Sequence, residues 1–599
     1  MQTALRFAPN LGGASTCARR VRTFRGMQAQ PTIPAQEAQA PTLHPQLDAV
    51  VAALQQRKQA WATLAIPEKV KLLEQLVQDT RHCAEQWVAR ACTAKGIPLD
   101  SPLAGEEWTS GPWALMYGTN GYISTLQSIA AGRSPHTGKV RTRKDGQVIA
   151  EVFPQTAADA LLLNGITAEV WMERGVTAEA LPDLHGAFFK QANPTGHVAL
   201  VLGAGNIASI GPLDVLYKLL AEGQVCVLKM NPVNEYLGPF LIEAFAGFIK
   251  AGYVAVVYGG AEVGQYLCNH PGVEEIHITG SAVTHDAIVF GSAEAKAAKQ
   301  PRNTRRITSE LGNVSPVIVV PGPWTKEDVR YQAEHIATMK MHNGGFNCIA
   351  GQVLVLPRSW DVSEVLWKEV ELVLRELPNR KAYYPGAEAR TQAQTVGKAQ
   401  VLDAAAPGYT PRTLVEGTEQ SFQAEAFCSV LSRTSLDGAD AAGFLSAAVT
   451  FCNEQLWGTL GANVLIHPQT MAELGERFED AIAALRYGCV AINAWTGVGF
   501  LLGQATWGAY PGHTVDDIRS GVGVVHNTLL FDRPLKSVVR QPFYPAPRGL
   551  VHGSFALLPK PPWFVTNRTA ANTARRLVEF EADHSWLRMP GIFASALRG

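Results

Sequence analysis

The amino-acid sequence predicts an α/β protein in which mostly parallel sheets are covered by helices. Beyond Gly196, short apolar runs rich in β-branched residues alternate with segments of helical length. Strands buried on both faces of a parallel sheet have this composition, because crossover helices cover both faces. The chain of 599 residues also exceeds the usual size of one hydrophobic core, so more than one domain is expected.

Nine apolar runs are the predicted strands of this α/β region. They are HVALVLGAGN, VCVLKMNP, YVAVVYGG, EEIHITGS, RRITSELG, SPVIVVP, GQVLVLP, ANVLIHP and CVAIN. Each is short and is separated from the next by a segment long enough for a helix or a loop. The runs therefore predict parallel strands with their connections packed outside the sheets.

The region before these strands is predicted to be helical and then mixed. Apolar residues with helical spacing occur in residues 47–95, and Gly96 is a plausible stop. Residues 141–152 predict a hairpin that turns on Asp145-Gly146. Residues 151–187 are predicted to be mixed and mostly helical. Residues 527–599, which are rich in proline and aromatic side chains, are predicted to be an extension over the body of the protein.

Composition excludes several classes of function. Lys+Arg and Asp+Glu are equal at 52 each, so no basic excess indicates nucleic acid binding. The nine cysteines form no C-x-x-C pair and no Cys/His cluster with zinc spacing, which predicts reduced thiols and no metal site. The most apolar run is broken by glycines, Pro212, Asp214 and Lys218, so no membrane span is predicted.

Residues 1–36 have the composition of an organellar transit peptide. They carry five arginines, many small or hydroxylated residues and no acidic residue, and no continuous apolar core follows the charges. A chloroplast is favoured over a mitochondrion by the mixture of arginine and hydroxylated residues. A disordered tail is the alternative, and the protein would then be cytoplasmic.

Three strand ends carry residues suited to a nucleotide ligand. Gly260 and Gly264 follow the strand YVAVV and open a predicted helix towards a phosphate. Thr279 ends another strand, and Lys229 ends a third, where it could reach a ribose or a phosphate. Each feature alone is also compatible with ordinary turn glycines or a solvated lysine.

Glu310 and Cys348 are the candidates for chemistry. Glu310 lies between apolar runs, where a carboxylate in a low-dielectric cleft can serve as a general base. Cys348 lies in the polar segment KMHNGGFNCIAG, whose backbone amides could favour a thiolate. The alternatives are a helix cap or surface turn for Glu310, and a buried small hydrophobic residue for Cys348.

Taken in order, these stretches resemble the aldehyde dehydrogenase superfamily. The resemblance extends from about Gly196 to Ala509. It rests on Asn206, Lys229, Gly260 to Gly264, Thr279-Gly280-Ser281, Glu310-Leu311-Gly312, Asn343 with Cys348, and Glu425-x-Phe427. It implies a Rossmann-type cofactor domain, an α/β catalytic domain and a small oligomerisation element, in a homodimer or homotetramer.

The resemblance also implies roles for individual residues in the oxidation of an aldehyde with NAD or NADP. Cys348 would be the nucleophile, Asn206 an oxyanion donor, and Glu310 the base that activates water. The implied cofactor-binding residues are Lys229, Gly260, Gly264, Thr279, Gly280, Ser281, Leu311, Glu425 and Phe427. A CoA-acylating enzyme and a catalytically silent binding or scaffold homologue are the alternatives.

The sequence departs from the family pattern in several places. Asn313 replaces the second glycine after Glu310-Leu311-Gly312, and Cys428-Ser429 follows Phe427 where Gly-Pro is usual. Pro232 stands where members that prefer NAD often carry an acid, so NADP remains open. The closing Pro-Phe-Gly-Gly of the family is replaced by Thr506-Trp507-Gly508-Ala509.

The resemblance also divides the chain. The predicted regions are a cofactor-binding domain at residues 45–311, a catalytic domain at 312–490, a return to the cofactor or oligomerisation region at 491–526, and the extension at 527–599.

Overall fold

Two β-sheets form the framework of the computed structural model, which describes residues 39–136, 138–397, 399–403, 408–551 and 556–599. The transit peptide predicted at residues 1–36 lies outside these ranges. The strands are β1 Val140–Thr142, β2 Val148–Phe153, β3 Thr167–Met172, β4 Val198–Leu202, β5 Val225–Lys229, β6 Val254–Val257, β7 Glu275–Gly280, β8 Arg306–Leu311, β9 Ser315–Val319, β10 Gly351–Pro357, β11 Ala399–Val401, β12 Thr413–Glu416, β13 Val430–Leu436, β14 Gly461–Leu465, β15 Cys489–Ile492, β16 Trp507–Gly508, β17 Gly521–Val522, β18 Val524–His526 and β19 Pro534–Arg540.

Helices connect and cover the strands. They are α1 His44–Ala62, α2 Ile66–Lys95, α3 Ala104–Trp108, α4 Ala114–Ala130, α5 Ala157–Leu162, α6 Ile210–Leu220, α7 Gly238–Ala244, α8 Ala246–Lys250, α9 Ala261–Asn269, α10 Ala282–Val289, α11 Ala293–Ala297, α12 Lys326–Met341, α13 Val362–Glu376, α14 Ala387–Gln394, α15 Glu419–Gln423, α16 Ala441–Gln455, α17 Pro468–Leu474, α18 Glu476–Ala484, α19 Thr496–Leu501, α20 Arg548–Val551, α21 Ala570–Asp583 and α22 Met589–Ala596. A π-helical turn, Thr109–Trp113, joins α3 to α4, and a 3₁₀ turn, His342–Gly345, follows α12.

The smaller sheet has six strands in the order β17-β8-β7-β4-β5-β6. The five strands from β8 to β6 are parallel, and only β17 is antiparallel to its neighbour. Lys229 on β5 pairs with Leu202 on β4 and with Val257 on β6, so these strands end at one edge. Loops that follow parallel strands meet at that edge, which is where an open α/β sheet binds its ligand.

The larger sheet has eleven strands in the order β1-β2-β3-β19-β15-β14-β9-β10-β13-β12-β11. Its seven central strands, β19 to β12, are parallel. An antiparallel group, β1 to β3, joins at one edge and β11 at the other. Mostly parallel sheets with covering helices confirm the predicted α/β class.

The nine predicted strands are all present, as β4 to β10, β14 and β15. The hairpin is also present, since Thr142 pairs with Val148 across the turn at Asp145-Gly146. The hairpin belongs to the eleven-stranded sheet, although it lies within the residues predicted as the cofactor-binding domain.

The prediction of mostly helical structure for residues 151–187 is wrong. Thr167–Met172 forms β3, which pairs with β2 on one side and β19 on the other. The segment TAEVWM contains good helix formers, but its alternate residues Ala168, Val170 and Met172 are all fully buried. Packing with distant strands therefore overrides the local helix propensity.

The prediction that residues 527–599 are only an outer extension is also wrong in part. Pro534–Arg540 forms β19, an interior strand between β3 and β15. Lys536 made this strand hard to predict, because lysine is usually a surface residue, whereas this side chain is only 1% exposed and its pKa is lowered by burial to about 7. Its Nζ donates to the backbone carbonyls of Ile482, Ala483 and Leu485 at the end of α18. A helix end has carbonyls without helical partners, and this lysine satisfies three of them.

The rest of the C-terminal segment consists mainly of α21 and α22. Helix α21 contacts α3, α2 and α4 as well as α22. Within the ranges described above, no helix is both long and apolar enough to cross a membrane.

Candidate active site

A cavity of about 630 Å³ opens at the edge of the six-stranded sheet where β4, β5, β7 and β8 end. All twelve residues singled out from the sequence line it. They are Asn206, Lys229, Gly260, Gly264, Thr279, Gly280, Ser281, Glu310, Leu311, Cys348, Glu425 and Phe427. The structure therefore brings the candidate chemical groups and the candidate cofactor-binding residues to one place.

Cys348 and Glu310 are in direct contact in this cavity. The Sγ of Cys348 donates a hydrogen bond to Oε1 of Glu310 over 3.0 Å. Burial raises the pKa of the Cys348 thiol well above its usual range, and the charge of Glu310 acts in the same direction. The resting cysteine is therefore a protonated thiol with a proton acceptor already on it, which is the arrangement of an activated nucleophile.

Glu310 is held from its other side by Trp507. The Nε1 of Trp507 donates to Oε2 of Glu310 over 2.9 Å, and both side chains are about 1% exposed. Burial raises the pKa of Glu310, and the charge of Asp214 adds to this, while the bonds from Cys348 and Trp507 oppose it. A carboxyl with a raised pKa is a stronger base in its ionised form than an ordinary one.

The loop that carries Cys348 needs unusual backbone conformations. Asn343, Gly344 and Gly345 all have positive φ, at 55°, 68° and 85°. A Cβ on Gly345 would lie 2.6 Å from the carbonyl oxygen of Cys428, so only glycine fits there. This sharp turn places Cys348 between α12 and β10, at the wall of the cavity.

Buried ion pairs hold the loop against α2 and α3. Lys95 donates from Nζ to Glu107, to the backbone carbonyl of Asn206 and to the side chain of Asn343. Glu106 accepts two bonds from the guanidinium of Arg380, and it also accepts from the backbone N–H of Asn343.

Arg380 is the group that most favours the ionised form of Glu106 in this network. Burial alone would raise the pKa of Glu106, but Arg380, His342 and the backbone N–H of Asn343 together outweigh burial and hold that pKa below its usual range. This network was not predicted from the sequence, because Arg380 and Asn343 are more than 200 residues away from Lys95, Glu106 and Glu107 in the chain.

Asn206 lies on the loop between β4 and α6 and lines the cavity beside Cys348. Its Nδ2 donates to the carbonyl of Phe346 over 3.0 Å, which fixes the plane of the amide. An amide nitrogen carries two hydrogens, and the described residues provide an acceptor for one. The second is available to an oxygen atom bound at Cys348.

Two helix N-termini face the same cavity. Gly260 is the N-cap of α9, and Ser281 is the N-cap of α10, where its hydroxyl accepts from the N–H of Thr284. A Cβ on Gly260 or Gly264 would meet no atom within 4 Å, so these positions leave open space in the wall. Free N–H groups and the absence of a side chain allow close approach of a phosphate.

Lys229 and Glu425 supply opposite charges to the cavity. Burial lowers the pKa of Lys229, with Glu235 acting in the opposite direction. Burial raises the pKa of Glu425 to about 7, although a hydrogen bond from the backbone of Asn313 lowers it. A Cβ on Gly312 would collide with the Glu425 carboxyl group, so the glycine after Leu311 makes room for this acid.

Tyr384 and Arg390 line the cavity but were not predicted from the sequence. Arg390 on α14 donates from Nε to the carbonyl of Phe427, whose φ is 40°. Its Nη2 is buried and has no hydrogen-bond partner among the described residues. A buried guanidinium nitrogen without an acceptor fits an oxygen-rich ligand, so these residues are compatible with a dinucleotide.

A second, narrow pocket of about 40 Å³ adjoins Cys348 and shares only Asn206, Ile210 and Cys348 with the larger cavity among the described residues. Its wall includes Asn206, Ile207, Trp495, Phe500 and Trp507, the last of which donates to Glu310. Its lining is mostly apolar and aromatic, which suits the carbon attached to a reacting carbonyl group. In the part of the chain that the structure describes, no group of His, Cys, Asp and Glu side chains could hold a metal ion.

Comparison with known proteins gives one family match. The sequence profile described as "Aldehyde dehydrogenase family" matches residues 127–426, which is about half of the chain. Aldehyde dehydrogenase LUC3 of Fusarium sp is 30% identical over 165 residues, covering 28% of this chain and 31% of that one. The 4-trimethylaminobutyraldehyde dehydrogenase of Oryzias latipes is 38% identical over 137 residues, covering 22% and 25%. These alignments thus span about a third and a quarter of the two relatives' own length.

Solved structures show the same fold over most of the chain. The NAD-dependent aldehyde dehydrogenase from Sinorhizobium meliloti has a TM-score of 0.57 at 18% identity, covering 84% of this chain and 88% of that one. The NADP-dependent glyceraldehyde-3-phosphate dehydrogenase from Bacillus halodurans, complexed with NADP, has a TM-score of 0.55 at 18% identity, covering 83% and 91%.

Proposed function

Because the chain belongs to the aldehyde dehydrogenase family, we propose that it oxidises an aldehyde to a carboxylic acid with NAD or NADP. The observation that carries this proposal is the 3.0 Å hydrogen bond from Cys348 Sγ to Glu310, inside a cavity that also contains the cofactor-type residues. A nucleophile, its base and two helix N-termini suited to phosphates in one cavity match the needs of this reaction.

In the first step the sulfur of Cys348 adds to the carbonyl carbon of the aldehyde. The thiol proton passes to Glu310, which already accepts its hydrogen bond. The carbonyl oxygen becomes an oxyanion, and the free N–H of Asn206 and the backbone N–H of Cys348 donate to it. Each such donor contributes on the order of 3 kcal/mol to the transition state.

The bound NAD or NADP would supply the acceptor for the hydride that leaves the thiohemiacetal carbon. The N-termini of α9 and α10 would hold its phosphates, since Gly260 and Gly264 leave room at α9 and Ser281 caps α10. Lys229 and Glu425 would contact its ribose hydroxyls. The choice between NAD and NADP is tested by measuring kcat/KM with each.

In the last step water hydrolyses the Cys348 thioester. Glu310 first releases to solvent the proton that it took from the thiol, and it then takes a proton from the water. The hydroxyl oxygen bonds to the acyl carbon, the carbon–sulfur bond breaks, and Glu310 returns its proton to the sulfur of Cys348. The raised pKa of Glu310 suits this role, because a buried carboxylate is a better proton acceptor than an exposed one. The products are a carboxylic acid, reduced cofactor and a proton.

CoA-acylating activity is the nearest alternative. In that reaction CoA takes the acyl group from Cys348, and no water has to be activated. Glu310 lies within hydrogen-bond distance of the sulfur, where it can activate water, so it favours hydrolysis over transfer to CoA. Product analysis with and without CoA separates the two, since an acyl-CoA product would replace the free acid.

A catalytically silent scaffold is the alternative from another class. The open wall at Gly260 and Gly264 and the contact between Cys348 and Glu310 favour an enzyme over this alternative. The proposal also includes a homodimer or homotetramer and an organellar location, with the chloroplast favoured. Light scattering and a fluorescent fusion to residues 1–36 test these two points.

The test of the proposed function is turnover by the purified full-length protein. It is incubated with NAD or NADP and short, long and aromatic aldehydes, and reduced cofactor is followed by absorbance. We expect turnover that Cys348→Ser abolishes and that the matched control Cys83→Ser, on α2 outside both cavities, retains. No turnover and no binding of either cofactor would contradict the proposal.

A further inference from the structure

A third cavity, of about 580 Å³, lies beneath the C-terminal helices. We call it the outer chamber. Its walls come from the π-helical turn and α4, from residues 155–163, from the segment around Leu501 and Gln504, and from residues 558–596. A chamber of this size is in the range that holds drug-sized ligands.

The outer chamber adjoins the narrow pocket beside Cys348. Thr109 and Leu501 line both of them. The π-helical turn, Thr109–Trp113, supplies walls to both, as does the segment that follows Trp495. A molecule whose reacting carbon lies at Cys348 therefore has the outer chamber as the space for its remaining atoms.

The chamber has a largely apolar wall to which the C-terminal segment contributes heavily. That segment supplies Trp563, Leu577, Ile592 and Phe593. The body of the protein supplies Trp113 to the same wall. Trp563 and Leu577 are 5% and 8% exposed. Since apolar surface of this kind gains free energy when it excludes water, the wall favours an apolar ligand.

The ionisable groups of the chamber are acidic apart from one histidine. Glu74, Asp159, Glu581 and His584 line it, and no lysine or arginine does so among the described residues. Glu581 is 4% exposed and accepts a bond from Nδ2 of Asn120 over 3.0 Å. Burial raises the pKa of Glu581 to about 8. A carboxylate or phosphate on a ligand would meet acidic groups here and no fixed cation.

We propose that the outer chamber binds the apolar tail of an extended aldehyde without an anionic group, and that the C-terminal segment is thereby a substrate-binding element. This inference rests on the proposed function, because it identifies the substrate class of the same site. The aldehyde carbon reaches Cys348 through the narrow pocket, while the tail lies against α21 and α22.

The test compares chain lengths with the full-length enzyme. We expect kcat/KM to rise from propanal to decanal, by up to about fourfold for each methylene that enters the chamber. Aldehydes of the same length with a terminal carboxylate should react at least tenfold more slowly than the corresponding alkanals.

Two variants and one control connect this selectivity to the chamber. Leu577→Trp fills the chamber and should lower the ratio of kcat/KM for decanal to that for propanal by about tenfold or more. Glu581→Gln removes an acidic group that ionises above about pH 8, so it should reduce the discrimination against the terminal carboxylate more at pH 9 than at pH 7. Asn572→Trp places the same bulky side chain on an exposed face of α21 outside the chamber and should keep the wild-type ratio.

The possible failures are distinguishable. Turnover with no dependence on chain length, or a preference for carboxylate-bearing aldehydes, would overturn this inference and leave the proposed function standing. A wild-type ratio in Leu577→Trp would also overturn it. No turnover of any aldehyde with either cofactor would overturn the proposed function and this inference together.

Discussion

Replacement of Glu310 by glutamine tests which proton this carboxylate takes. In the structure its Oε1 accepts the bond from Cys348 Sγ, and its Oε2 accepts from Trp507 Nε1. Glutamine keeps nearly the same shape but is a very weak base. If Glu310 accepts the thiol proton, Glu310→Gln slows formation of the first reduced cofactor as well as hydrolysis.

The expected size of the effect follows from the ionisation of the thiol. At neutral pH only about 3% of ordinary cysteines are ionised, and burial raises the pKa of Cys348 further. Removing the negative charge of Glu310 offsets part of this rise, but the burial remains. Since a positioned base contributes about 10²- to 10⁴-fold, we expect the first turnover to slow by about 100-fold or more.

Rapid mixing with saturating cofactor measures this step, because a burst of reduced cofactor reports the first turnover. The pH dependence gives a second signature. In Glu310→Gln the burst rate should rise about tenfold for each pH unit below the pKa of the thiol, since only ionised sulfur reacts. The burst rate of the wild-type enzyme should depend less steeply on pH over the same range.

Trp507→Phe is the matched control, because it removes one hydrogen bond from Glu310 and leaves the carboxylate in place. Its burst should remain much faster than that of Glu310→Gln. A burst at the wild-type rate in Glu310→Gln, followed by slow steady-state turnover, would refute the argument. Glu310 would then serve only the water that hydrolyses the thioester.

Three further predictions follow from other buried charges. Lys536→Met leaves the carbonyls of Ile482, Ala483 and Leu485 without their donor, and it should lower the free energy of unfolding in urea by about 3 kcal/mol; an unchanged midpoint would contradict this. Asp214→Asn removes a charge that raises the pKa of Glu310. The acid limb of the pH profile of kcat/KM should therefore move to lower pH. A move to higher pH would count against Glu310 as the group that titrates in this limb. Burial raises the pKa of Glu425 to about 7. The KM for the cofactor should therefore fall as the pH rises through that value and the carboxylate ionises. Glu425→Gln should remove this pH dependence, and a variant that keeps it would show that another group titrates.

The sequence was most informative where the local pattern and the final environment agree. The nine apolar runs are buried on both faces of their sheets, so their composition alone predicts strands. The ends of β5, β7 and β8 were predictable for the same reason, and they place Lys229, Thr279 and Glu310 at one edge. Parallel strands end together, so residues that are far apart in sequence become neighbours there.

Features that depend on distant partners could not be predicted from one sequence. Lys536 looks like a surface residue until the end of α18 provides three carbonyls for it. Arg390 becomes a wall of the cavity only because its helix packs against the loop of Phe427. The contact of Glu310 with Cys348 was not predicted either, although both residues were, because loop geometry decides which atoms meet.

The interior position of β19 has a consequence for the biosynthesis of the chain. Met172 on β3 pairs with Pro534 on β19, and 362 positions separate the two residues in the sequence. At about 5–20 residues per second, the ribosome adds Pro534 about 20–70 s after Met172. During that interval β3 lacks its β19 partner and presents unpaired backbone groups along an edge, and β15 does the same for about the last 2–8 s, after Ile492 has been added. Such an edge is a template for pairing with other chains. Nascent or truncated chains that end before β19 should therefore aggregate and depend on chaperones, whereas chains that include β19 close the sheet.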